Sequence, residues 1–212
     1  MSGNYKKLVD HYEACLDRHG DSHRGVDWPR QADAEKRYEV MLGVMAGDIR
    51  KKKALLDFGC GAAHLLGHIR RTKRKDIVYI GADLSPKFIE LSRKKFPDDR
   101  FLCLDVLKEP GKLPRFDYAV ANGVFTLKGK MGFEEMFGFM SHVTRALYSR
   151  AGKGIAFNVM SKQVDWENKG LFHVPFDRMA GFIAKELSRD FVLRHDYGLY
   201  EYTAYVYKRN KK

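Results

Sequence analysis

The chain has 212 residues, 44% hydrophobic and 13% aromatic, which is the make-up of a globular domain with a sizeable core and excludes a disordered chain. Its formal charge is +12, from 39 Lys and Arg against 27 Asp and Glu, which raises nucleic acid as a partner. No run of about 18 apolar residues occurs, so no membrane span is expected.

The three cysteines, Cys15, Cys60 and Cys103, are scattered and read as reduced thiols of a cytoplasmic protein. The opening residues lack the apolar segment of a signal peptide. No CxxC pair or His/Cys cluster points to a metal. Residues 1–212 read as a single domain, with 1–50 as a helical extension ahead of a core over 51–212.

Leu8, Tyr12 and Cys15 recur at helical spacing, so a helix is predicted over 5–18. His19 to Pro29 is rich in turn formers and reads as a loop. A second helix is predicted over 31–49, with Tyr38, Met41, Leu42 and Met45 on one face. The extension is expected to lie as a lid across the mouth of a ligand pocket. An apolar strand over 54–58 then runs into Asp57-Phe58-Gly59-Cys60-Gly61, and an amphipathic helix follows over 63–71. The glycines let the backbone approach a ligand closely, and the helix start behind them offers free N–H groups. Strand, glycine turn and helix make the nucleotide-binding corner of a doubly wound α/β sheet. A dinucleotide fingerprint would have a third glycine where His64 stands. Asp57 would repel a pyrophosphate but suits a cation, such as the ammonium of a bound amino acid.

The next strand, 77–82, leads into Asp83 and Leu84. Ser85 and Pro86 fit the N-cap and first position of a helix. Asp83 lies 22 residues after Gly61, where an acid can accept both hydroxyls of a ribose. A strand over 100–104 leads into Asp105 and Val106, and one over 116–121 into Asn122-Gly123. Beyond these are a helix over 133–149, a strand over 154–160, a loop over 161–173 and a helix over 176–187. Two alternating strands, 191–194 and 200–208, close the chain. In the second, Tyr202, Ala204 and Val206 share one face, and Thr203, Tyr205 and Tyr207 the other.

Asp57-Phe58-Gly59-Cys60-Gly61 resembles motif I of the class I S-adenosylmethionine-dependent methyltransferases, and the likeness covers roughly residues 53–208. Ala63 stands where many members have a third glycine. The stretch Phe116 to Phe125 resembles the family's motif IV, but lacks the Asn/Asp-Pro-Pro-aromatic run of enzymes that methylate base amines, and also a Pro-Cys pair. The segments 20–28 and 195–202 resemble small bacterial methyltransferases of uncertain substrate.

The resemblance implies a Rossmann-like doubly wound sheet of seven strands, in the order 3-2-1-4-5-7-6 with strand 7 antiparallel, helices on both faces and an N-terminal helical cap. It implies S-adenosyl-L-methionine as cofactor and S-adenosyl-L-homocysteine as product. Asp57 and the backbone of Gly59, Cys60 and Gly61 would hold the methionine portion. Asp83, beside Leu84, would hold the ribose, and Asp105, beside Val106, the adenine. Asn122 and Gly123 would lie near the cofactor, Arg37 would pair with the methionine carboxylate, and Trp28 would cap the site. His23 and His173, in loops at the expected pocket mouth, are candidates for a general base. Tyr12, Phe125 and Tyr197 are candidates to wall an apolar acceptor pocket.

The expected reaction is O- or N-methylation of a small molecule, such as a specialised metabolite or sugar. RNA methylation and a non-catalytic cofactor-binding role are the alternatives. The basic clusters 50–53, 70–75, 93–95 and 208–212 are all expected on the edge where the parallel strands begin. The cofactor belongs at the other edge, so their position disfavours a nucleic-acid acceptor. A monomer or homodimer is expected.

Overall fold

The computed structural model describes residues 3–209. A parallel sheet is built from β1 (Lys53–Phe58), β2 (Ile77–Asp83), β3 (Arg100–Cys103), β4 (Phe116–Ala121) and β5 (Ala151–Ser161). The hairpin β7 (Phe191–Arg194) and β8 (Glu201–Tyr207) completes the order β3-β2-β1-β4-β5-β8-β7, with β8 antiparallel to β5. That is the expected order. The structure adds an eighth strand, β6 (His173–Val174), which pairs with the end of β5 through Met160 and His173.

Alternation along the strands splits the interior into two cores. Leu56, Ala119, Phe157, Tyr202, Ala204 and Val206 face one side, beneath α5 (Phe133–Arg150) and α6 (Phe176–Glu186). Leu55, Tyr118, Val120, Ala156 and Tyr205 face the other, beneath α2 (Gln31–Leu42), α3 (His64–Arg71) and α4 (Pro86–Lys95). Strands buried on both faces read as nearly continuous apolar runs, as β1, β4 and β5 do.

One local departure from the expected elements has a physical cause. The helix expected over 31–49 is α2 up to Leu42, then a 3₁₀ turn over Gly43–Met45. The Tyr205 hydroxyl donates to the Val40 carbonyl, which the next helical turn would otherwise use, and Gly47 turns the chain at φ +81°. The helix α4 starts as expected, with the Ser85 hydroxyl accepting from the Phe88 N–H.

Residues ahead of the sheet form α1 (Lys6–His19) and a loop containing a 3₁₀ turn over Arg24–Val26. They cover the ends of the strands where the three predicted acids stand. Leu16, Ala62 and Phe88 form a small apolar cluster at that junction.

The basic clusters are neutralised in part on the protein itself. Arg50 pairs with Asp48 and Asp117, Lys53 with Asp76, Arg70 with Asp99, Arg71 with Glu35 and Arg74 with Glu39. Lys95 departs from the expected far edge: it reaches Asp21, in the loop after α1, at 2.8 Å. Asn210–Lys212, from the last cluster, lie outside the described residues.

Candidate active site

Three carboxylates mark the ends of consecutive parallel strands. Asp57 closes β1 and is 3% exposed, with one oxygen accepting from the Tyr79 hydroxyl at 2.7 Å. Burial pushes its carboxyl up to about 7; the Tyr79 bond opposes the rise, and the charge of Asp83 adds to it. Asp83 ends β2. Its two oxygens accept from the N–H groups of Gly61 and Ser85, both at 2.9 Å. Burial raises its pKa while the backbone donors hold it down. Asp105 follows β3 and accepts from the Tyr5 hydroxyl at 2.9 Å and the Leu107 N–H at 3.2 Å.

A cavity of about 170 Å³ joins these acids. Asp57, Gly59, Cys60, Gly61, Asp83, Leu84, Asp105, Val106, Asn122, Gly123 and Trp28 all line it. The turn after β1 keeps its backbone open to the cavity because Gly59 has φ +72°, and a Cβ there would lie 2.4 Å from Val124. Gly123 has φ +79°, and a Cβ there would meet the Trp28 ring at 2.6 Å. Asn122 Oδ1, at the tip of β4, is buried without a hydrogen-bond partner among the described residues.

The lid is fastened at several points. The Tyr5 hydroxyl reaches Asp105, and its ring stacks on Phe139 at 5.3 Å. Tyr12 places its hydroxyl 3.4 Å from the Gly123 carbonyl, which also accepts from Thr126 at 2.9 Å. Glu13 accepts from the Ser85 hydroxyl, and Asp17 pairs with Lys87. Asp21 binds His64 at 2.7 Å as well as Lys95. Among these, Tyr5 and Glu13 went unnoticed in the sequence, because no local pattern distinguishes a tyrosine or an acid that meets a partner about 70 to 100 residues away.

Five expected residues are placed elsewhere. Arg37 does not line the cavity; its guanidinium binds both oxygens of Glu201, at 2.8–3.0 Å, and stacks 4.2 Å from the Trp28 ring centre. His173 is drawn into β6, buried, with Nδ1 donating to the Ser161 carbonyl at 2.7 Å, and it does not line the cavity. The loop was expected to stay open there, but two residues of pairing with β5 pull its end onto the sheet. His23 lies half-buried in the lid loop and also stays off the lining. Phe125 is packed into the core, and the Tyr197 hydroxyl bonds to Thr203, so of the three proposed wall aromatics only Tyr12 faces the cavity.

No metal was expected, and one group of possible ligand atoms comes together among the described residues: those of His11, Cys15 and Asp27 lie within 4.8 Å of one another. The His11 to Asp27 bond of 2.9 Å ties α1 to the loop that carries Trp28.

Comparison with known proteins agrees with this architecture. Residues 56–151 match a family described as a methyltransferase domain. Rv1506c of Mycobacterium tuberculosis, a methyltransferase by name, is 27% identical over 158 residues, covering 72% of this chain and 91% of that protein. Magnesium protoporphyrin IX methyltransferase from Synechocystis, solved with bound S-adenosylmethionine, superposes with a TM-score of 0.69 at 12% identity and covers 99% of both chains. Human N-acetylserotonin methyltransferase superposes with a TM-score of 0.59 at 15% identity, over 98% of this chain and 66% of that one. At such identities the structural likeness is one of fold.

Proposed function

We propose that the chain is a class I S-adenosylmethionine-dependent methyltransferase that methylates oxygen or nitrogen of a small molecule held beneath the lid. The observation that carries this reading is the closure of α1 and its loop over the cavity. Tyr5 reaches Asp105, Tyr12 reaches the Gly123 carbonyl and Trp28 packs on Gly123. An acceptor at the tip of β4 must fit under these side chains, and a folded nucleic acid would not. Magnesium protoporphyrin IX and N-acetylserotonin, named in the structural neighbours, are small molecules too, though that likeness speaks for fold and not for this acceptor.

The residues present fit the cofactor. When bound, S-adenosylmethionine supplies a methyl group on a positively charged sulfur. Asp57, buried with one donor, is suited to its cationic amino acid end. Asp83 keeps lone pairs beyond those used by Gly61 and Ser85, enough to accept ribose hydroxyls. Asp105 is suited to an amino group on the base. Asn122 Oδ1, buried and unpartnered, has the form of an acceptor awaiting a donor. Burial raises the pKa of Tyr12, so its hydroxyl stays protonated and can donate. The one lining histidine, His64, is engaged by Asp21. The described lining residues therefore offer alignment and hydrogen bonds more than a strong base.

Calorimetric titration with S-adenosylmethionine, S-adenosylhomocysteine and NAD tests the cofactor assignment, which expects tight binding of the first two and none of the third. Transfer of labelled methyl into a low-molecular-weight cell extract and into total RNA then tests the acceptor class. Label in the small-molecule fraction supports the reading, and label in RNA alone overturns it.

A further inference from the structure

We propose that Arg37 and Glu201 are positioning residues that couple the lid to the tip of β4. This rests on the cofactor reading above. Five residues form a closed ring. Arg37, on α2, grips Glu201, on β8, through its planar fork. Glu201 Oε1 also accepts from Asn158 Nδ2 at 2.9 Å, and Asn158 Oδ1 accepts from the Gly123 N–H at 2.8 Å. Gly123 lies against Trp28, and Trp28 stacks under the Arg37 guanidinium.

Glu201 is 1% exposed and Asn158 is fully buried. A buried ion pair is a poor way to add stability, since well-packed apolar residues of similar volume serve as well or better. What the pair does, and an apolar pair could not do, is orient an amide. An ionised carboxylate only accepts hydrogen bonds, so Asn158 must turn Nδ2 toward Glu201 and its oxygen toward Gly123. That fixes the Gly123 backbone and with it the neighbouring Asn122, which lines the cavity. The same guanidinium fixes Trp28 from the lid side. The tip of β4 is thus held from below by Asn158 and from above by Trp28, with Arg37 joining the two.

The two tryptophans of the chain make the test direct. Trp166 is 74% exposed and is not a member of the ring, so Trp166→Phe leaves Trp28 as the sole reporter. In that background Glu201→Gln keeps the shape but lets residue 201 present either a donor or an acceptor. Arg37→Lys keeps the charge but loses the fork and the stack, and decides the matter should Glu201→Gln not fold. Both should speed S-adenosylhomocysteine dissociation at least fivefold in stopped flow and cut the ligand-induced change in Trp28 emission by more than half. A folded variant with dissociation rate and Trp28 response within twofold of the parent overturns the proposal, even if its melting temperature has dropped. Failure of the parent to bind S-adenosylhomocysteine would instead sink the cofactor reading. The ring would then be judged on ligand-free Trp28 emission, which Arg37→Lys should shift; an unchanged spectrum would overturn it.

Discussion

Asp57 shows at the scale of one side chain how function is held against stability. Its carboxyl titrates at about 7 in the folded chain, well above the ordinary 3.8. The folded state therefore holds the proton between about pH 4 and 7 while the unfolded state has lost it. Stability of the ligand-free protein should fall as pH rises through that window, by on the order of 4 kcal/mol. Asp57→Asn removes that contribution, so melting temperatures at pH 5 and 8 should lie closer together than in the parent, and the variant should melt higher than the parent at pH 8. It should also lose cofactor binding in calorimetry, because the amide carries no charge. In the parent, cofactor affinity should rise with pH up to about 7 and then level off, as the ionised carboxylate becomes the resident form. Asp83→Ala should weaken S-adenosylmethionine at least tenfold, about 1.4 kcal/mol. Ala63 has φ +55°, a left-handed conformation that costs a side-chain-bearing residue about 1 kcal/mol or more. Ala63→Gly should therefore raise stability to chemical denaturation by up to about 1 kcal/mol with cofactor affinity unchanged. The acids and glycines were legible in the sequence because each ends an apolar run. Glu201 was not, since an acid opening an alternating strand looks like a solvent-facing residue until its partner on α2 is in view.

Among the elements, the lid is attached by polar pins as well as by a small apolar cluster. Glu13 to Ser85, Asp17 to Lys87 and Asp21 to Lys95 fasten α1 and its loop through partly exposed groups, worth little individually. Such pins suit a cover that must open for ligand entry. Tyr5→Phe removes the hydroxyl on Asp105 and should speed S-adenosylhomocysteine release several-fold in stopped flow with little loss of melting temperature. Both lid helices and their order were readable from apolar spacing, but not where α2 stops, because Tyr205, 165 positions away, takes the Val40 carbonyl. The pairing of His173 with β5 was likewise hidden: two residues carry no alternation, and the loop before them reads as open coil.

For the whole molecule, the excess of 12 positive charges invites a nucleic-acid reading that the ion pairs weaken. Arg50, Arg70, Arg71 and Arg74 all have acidic partners on the protein itself. Binding of random RNA should be weak, should vanish by about 0.3 M salt as a counterion effect does, and should not be displaced by S-adenosylhomocysteine in filter binding. No helix among the described residues is long and apolar enough to cross a membrane. The strands β1, β4 and β5 could be anticipated from their apolar runs and the hairpin from its alternation, whereas the order of the strands came from the family resemblance.

The division of the cavity between roof and floor has a consequence for how such a protein changes over time. The three acids and the glycine turn belong to the sheet, whereas Tyr5, Tyr12 and Trp28 belong to the first thirty residues. Changes in the N-terminal stretch can therefore reshape the space for an acceptor while the three acids and the glycine turn stay in place, although loss of Tyr5 or Trp28 would also quicken cofactor release. Diversification of the reaction becomes a matter of exchanging one short terminal segment.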